Sequence, residues 1–119
     1  MAIEFGIKDR AVGDDTHVIS VTGEVDLFTA PEFKQRVMAP IAAGVEHVIV
    51  DLTEASFIDS SSLGALIGAH RRLKSRGSRL VVACDVEAIV KTFRITGLDG
   101  VFTLVASVDE ALALQPEAA

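Results

Sequence analysis

Apolar and polar positions alternate or recur in blocks along the chain, and each block predicts one element. Ile3, Phe5 and Ile7 alternate with Glu4, Gly6 and Lys8, the period of a half-buried strand. Gly13-Asp14-Asp15 is a turn signal and His17 to Thr22 reads as a second strand, so the short link predicts an antiparallel pair. Asp14 and Asp15 read as turn residues rather than metal ligands, because no further acid or histidine follows at ligand spacing. Gly23-Glu24-Val25-Asp26 then forms a loop into a marked helix start. Thr29 and Glu32 fit a capping box there, and Phe28 and Phe33 a hydrophobic staple. That helix runs toward Val37 and Met38, with Pro40 expected to disturb it and Gly44 to stop it.

Val45 to Leu52 is nearly continuous in apolar residues, which suits an interior parallel strand, and Asp51 reads as a strand-end residue. Next comes Ser56-Phe57-Ile58-Asp59-Ser60-Ser61-Ser62-Leu63-Gly64, the stretch around which the rest is organised: a buried apolar pair, an acid, three hydroxyls and a helix. Leu63, Leu66, Ile67 and Leu73 give that helix one apolar face, and Asp59 and Ser60 stand at its N-cap. Arg71, Arg72, Lys74 and Arg76 precede Gly77. They read as cations complementing the helix dipole, with a docking patch as the alternative. Arg79 to Cys84 is a buried strand, and Asp85 is expected to cap a helix with Ile89, Val90 and Phe93 inward, ending at Gly97. Val101 to Val105 is a last strand, and Ser107 with Glu110 predicts a capping box for a helix through Leu114.

These elements predict a single α/β domain over residues 1–115 with a short tail at 116–119. Its sheet is mixed, mostly parallel and four- to five-stranded, packed with about four helices. In such sheets sites gather at the carboxyl ends of strands, where the loops bearing Asp26 and Ser60 both leave.

Composition narrows the partners. The net charge of −6 opposes phosphate-backbone binding, and the absence of Trp and Tyr removes the usual stacking platforms, so nucleic acid is not expected. The N-terminus lacks a secretory pattern and no apolar run approaches a membrane span, so no membrane partner is expected. Cys84 is the single cysteine and reads as a core residue. Together these give the expectation of a reduced, cytoplasmic protein.

Chemistry at the central serines was weighed against known patterns. The G-x-S-x-G elbow is absent, and His17, His47 and His70 are scattered over strand, loop and helix without a place for a base to Ser60. No phosphate-cradling glycine motif occurs, so no cofactor is expected and the chain does not read as an enzyme. A receiver domain would need an acidic pair after its first strand and a late lysine, both missing. What remains is a domain that is bound and modified. A phosphate on Ser60 would add about −1.5 to −2 charges at a helix N-terminus that tolerates an anion, leaving the fold intact while disturbing a complex.

Gly23-Glu24-Val25-Asp26, Phe57-Ile58-Asp59-Ser60-Ser61-Ser62-Leu63-Gly64 and Phe93-Arg94-Ile95-Thr96-Gly97-Leu98 resemble, in order and spacing, the bacterial anti-sigma factor antagonists of the STAS domain family. The resemblance covers nearly the whole chain. It implies a STAS-like fold and a non-enzymatic regulator that binds an anti-sigma factor serine kinase when unphosphorylated, releasing a sigma factor for transcription. It implies further that the kinase phosphorylates the antagonist and that a metal-dependent, PP2C-type serine phosphatase restores it. Carried over by position, the phospho-acceptor is Ser60 and Asp26 is the acid associated with kinase binding. Glu24, Asp59, Ser61, Ser62 and Gly64 fall in the partner-facing motifs. Ser62 departs from the glycine common at its position in the family, which leaves open a narrowed approach or a second hydroxyl. The alternative function is a STAS scaffold or subunit of a stress-sensing or transporter-associated complex, using the same surface without phosphorylation.

Overall fold

The computed structural model describes residues 4–114. In chain order it holds β1 (Gly6–Val12), β2 (Thr16–Val25), α1 (Ala30–Ala42), β3 (His47–Ile58), α2 (Ser60–Lys74), β4 (Arg79–Ala83), α3 (Glu87–Ile95), a 3-10 turn (Leu98–Gly100), β5 (Thr103–Val105) and α4 (Val108–Ala113). The strands form one sheet in the order β1-β2-β3-β4-β5, antiparallel between β1 and β2 and parallel thereafter. The mixed, mostly parallel sheet with four helices is the architecture expected from the hydrophobic pattern, with the strand number settled at five.

Because successive strands are neighbours, α1, α2 and α3 cross over on one face of the sheet. There Phe33, Val37, Leu66, Leu73 and Phe93 close over Ile19, Val21, Val48, Val50, Leu80 and Val82, which alternate along the strands as the pleat requires. The other face is covered over part of its area by α4, whose Ala111 packs with Val18, Ile49, Val81 and Ala83. Cys84 lies in the larger core, and burial pushes its thiol pKa up, as befits a packed residue rather than a reactive one.

Several local expectations are corrected. The first strand begins at Gly6 rather than around Ile3, which lies outside the described residues; β1 is a charged edge strand, and its Asp9 accepts from Arg36 of α1 at 2.9 Å. Pro40 sits buried inside α1, and the helix continues to Ala42 before Gly44 takes a φ of +94°. Asp51 lies within β3 rather than at its end, accepting from Ser20 Oγ at 3.1 Å and Thr53 Oγ1 at 2.6 Å. Asp85 makes no cap to α3, whose N-cap is Val86, and Val101 ends the 3-10 turn instead of starting β5. The capping box at α4 forms on one side as expected, with Glu110 N donating to Ser107 Oγ at 3.1 Å; the Glu110 carboxylate accepts from Ala106 N instead of the N-cap N–H.

Candidate functional site

The carboxyl ends of β2 and β3 lie side by side, with Val25 paired to Ile58, and Asp59 N donates to Val25 O at 3.0 Å. That bond brings the loop after β2 against the start of α2, so the neighbourhood of Asp26 and Ser60 anticipated from topology is present. The approach is shaped by irregular pairing. β3 carries an extra residue between the partners of Gly23 and Glu24, and Gly23 adopts a φ of +78°, a left-handed conformation that only glycine takes readily. Glu24 therefore belongs to β2 rather than to a loop, exposed and paired with Phe57.

At the second junction Asp59 has extended backbone (φ −98°, ψ 176°) and caps α2. Its Oδ1 accepts from Ser62 N at 3.0 Å and from Ser62 Oγ at 2.9 Å. Ser62 is fully buried (0% exposed), so its hydroxyl is turned inward. Ser60 and Ser61 are exposed in the first turn. The three consecutive hydroxyls thus separate into two at the surface and one that belongs to the cap. Gly64 is exposed, and a Cβ built on it would meet nothing within 4 Å, so the fold itself does not demand glycine there. It stands four residues after Ser60 and four before exposed Gly68, giving α2 a smooth outer stripe.

At the first junction Asp26 works at longer range. Its Oδ1 accepts from Phe28 N at 2.9 Å, Thr29 N at 3.0 Å and Thr29 Oγ1 at 3.1 Å, while Asp26 N donates to Thr29 Oγ1 at 2.8 Å. The N–H of Thr29 leads these bonds in holding the Asp26 carboxyl below its ordinary pKa. Thr29 is the N-cap of α1 but its side chain makes no cap to the helix, so the expected box with Glu32 is replaced by this aspartate-centred turn. The staple fails for the same reason. The turn throws Leu27 and Phe28 outward, 68% and 89% exposed, while Phe33 is wholly buried. Phe57, expected as half of a buried pair, is 49% exposed and only Ile58 is inside.

The site is therefore an edge of three acids (Glu24, Asp26 and Asp59), two exposed hydroxyls and an apolar rim of Leu27, Phe28 and Phe57. No sequence signal marked that rim; the staple pattern pointed the other way. No helix of the described residues is long and apolar enough to cross a membrane.

The model of the STAS domain matches residues 8–111. The anti-sigma-B factor antagonist of Listeria monocytogenes is 36% identical over 106 residues, covering 87% of this chain and 90% of that protein. Among solved structures, an anti-sigma factor antagonist from Mycobacterium paratuberculosis superposes with a TM-score of 0.84 at 28% identity, over 92% of each chain. The Bacillus cell fate determinant SpoIIAA in its phosphorylated form superposes with a TM-score of 0.73 at 25% identity, over 90% of this chain and 96% of that one.

Proposed function

The chain belongs to the STAS domain family, and from that premise we propose that it is an anti-sigma factor antagonist whose partner binding is switched by phosphorylation of Ser60. The observation that carries the proposal is the sorting of the hydroxyls: Ser60 is exposed at the first position of α2, whereas Ser62 is buried and bonded to Asp59. A kinase reaching this edge finds Ser60 and Ser61 on the surface, and the resemblance of the Asp59-Ser60 motif to the family's acceptor favours Ser60. The burial of Ser62, whose hydroxyl turns inward to Asp59, supports an open approach to Ser60 despite the departure from glycine at that position.

In the unphosphorylated state the edge offers an apolar rim for contact and acids for orientation, and an anti-sigma factor serine kinase binds there, releasing its sigma factor. Phosphorylation by that kinase adds about −1.5 to −2 charges beside Asp59, at a helix N-terminus whose N–H groups stabilise an anion. The fold is kept, while the complex is lost: the new charge must be desolvated against a partner already facing Glu24, Asp26 and Asp59. A PP2C-type phosphatase then resets the switch. The chain acts as substrate and ligand in this cycle, and the nucleotide belongs to the kinase.

The test is to incubate the chain with Mg-ATP and its cognate kinase and to map phosphate by peptide mass spectrometry. Phosphate is expected on Ser60 and absent in Ser60→Ala. Ser60→Asp is expected to bind the kinase about tenfold or more weaker than Ser60→Ala, a difference of at least about 1.4 kcal/mol. Equal affinities would remove the switch and leave the phosphorylation-independent scaffold.

A further inference from the structure

At the opposite end of the sheet from Ser60, residues far apart in sequence bring three metal-type donors together. Asp15, Glu46 and His47 each place one ligand atom so that all of these lie within 4.8 Å of one another. We propose that this cluster is a divalent metal site for a zinc-class ion, independent of the switch at Ser60.

The backbones that carry the donors are fixed. His47 N donates to Asp15 O at 2.9 Å, and the next residues pair in the parallel ladder, Thr16 with His47. The hairpin turn after β1 is thereby tied to the first residue of β3, with Glu46 immediately before it. Ligands around a tetrahedral zinc at about 2.1 Å stand roughly 3.4 Å apart, so small side-chain rotations of exposed Asp15 and Glu46 close the shell. Asp15 uses Oδ1 to accept from Thr16 Oγ1 at 3.2 Å, which leaves its other oxygen for the ion. One imidazole and two carboxylates select a borderline ion such as Zn²⁺ over Mg²⁺, which prefers oxygen alone, and water completes the coordination.

Charge around the cluster supports a cation. Arg79 lines the same cavity of about 150 Å³ as Asp15 and His47 and opposes one, but Asp15, Glu46 and the adjacent Asp14 leave the local balance negative. The end of β3 that carries the cluster lies roughly 35 Å of extended chain from the end that carries Ser60. An ion there would staple the β1–β2 turn to β3 and add stability by mass action without touching the kinase-facing edge.

The test is titration of the untagged, chelator-stripped chain with Zn²⁺ by calorimetry, alongside imidazole NMR signals. One ion per chain is expected, with the His47 ring signals shifting while those of His17 and His70 stay in place. His47→Ala, or His47→Gln if the alanine variant is poorly folded, is expected to weaken binding by about tenfold or more, Glu46→Gln and Asp15→Asn to weaken it, and His17→Ala to leave it unchanged. His17 is the informative control because its Nε2 already lies 3.6 Å from Asp9 Oδ1. No saturable binding up to about 1 mM Zn²⁺, or full affinity retained in the His47 variant, overturns the assignment.

Discussion

The two strand-to-helix junctions at the carboxyl edge solve the same problem with the same residue type and reach different surfaces. Each must turn the chain from a strand into a helix, and each uses an aspartate just past the end of a strand. Asp59 stands directly at the N-cap and bonds Ser62, so the turn is tight and what it exposes is the hydroxyl of Ser60. Asp26 stands three residues ahead of the N-cap Thr29 and bonds across the gap, so its turn is longer and what it exposes is Leu27 and Phe28. One junction presents a hydroxyl and the other an apolar surface. The position of the aspartate relative to the helix decides which.

Replacing the cap at Asp59 separates the two most strongly. Asp59→Ala removes an N-cap, at about 1 kcal/mol, and leaves the fully buried Ser62 hydroxyl without its acceptor, at about 1–3 kcal/mol more. Thermal melting should show a loss near the sum, and Ser62→Ala in the same background should recover part of it. The apolar surface is tested by Leu27→Ala and Phe28→Ala. Both side chains are largely exposed, so stability should stay within about 0.5 kcal/mol of the parent. Affinity for the anti-sigma kinase should fall by about 1–2 kcal/mol, read by calorimetry. Unchanged affinity would take the rim out of the interface.

Gly64→Ala sharpens the contrast from the side of the partner. The new Cβ meets open space, so α2 should gain up to about 1 kcal/mol. Initial rates of Ser60 phosphorylation should nevertheless drop if the kinase needs the smooth stripe. A stabilised chain phosphorylated at the parent rate would make the glycine incidental. The smallest effect concerns acid. The Asp26 carboxyl is held below the ordinary aspartate range, first by the Thr29 N–H, so its bonds contribute stability that is present above the unfolded-state pKa and lost as pH falls through the folded-state pKa. Asp26→Asn should flatten the melting-temperature profile below about pH 4, a difference visible in parallel melts.

The hydrophobic periods made most of the architecture legible because those periods are local. The alternation in β2, the apolar run that opens β3, the Leu63-Leu66-Leu73 face and the caps at Asp59 and Ser107 all depend on residues within a few positions of each other. Errors arose where a hydrogen-bond or strand partner outside the expected pattern decided the outcome. Phe28 has the spacing of a staple, but Asp26 organises the turn and turns the ring out. The first strand takes in Ile7 but extends through the charged Lys8-Asp9-Arg10, because β2 and Arg36 supply its partners. Asp15 lies in the turn as expected, and the β2–β3 ladder also brings His47 beside it from another strand. The cap at Asp59 and the helix start at Ser60 were legible, but the inward turn of Ser62 required the packed helix.

The strand order has a consequence for how the molecule is made. Each strand adds beside the one before it, so a chain emerging from the ribosome always finds its docking edge already synthesised and never has to insert between strands already paired. The β1–β2 hairpin forms first as a local contact, and β3 then lays itself along β2 once α1 has emerged. The edge proposed to meet the kinase lies at the ends of β2 and β3 and the start of α2, ahead of β4 and β5 in the chain. A nascent chain therefore exposes every residue of that proposed surface before its last two strands emerge.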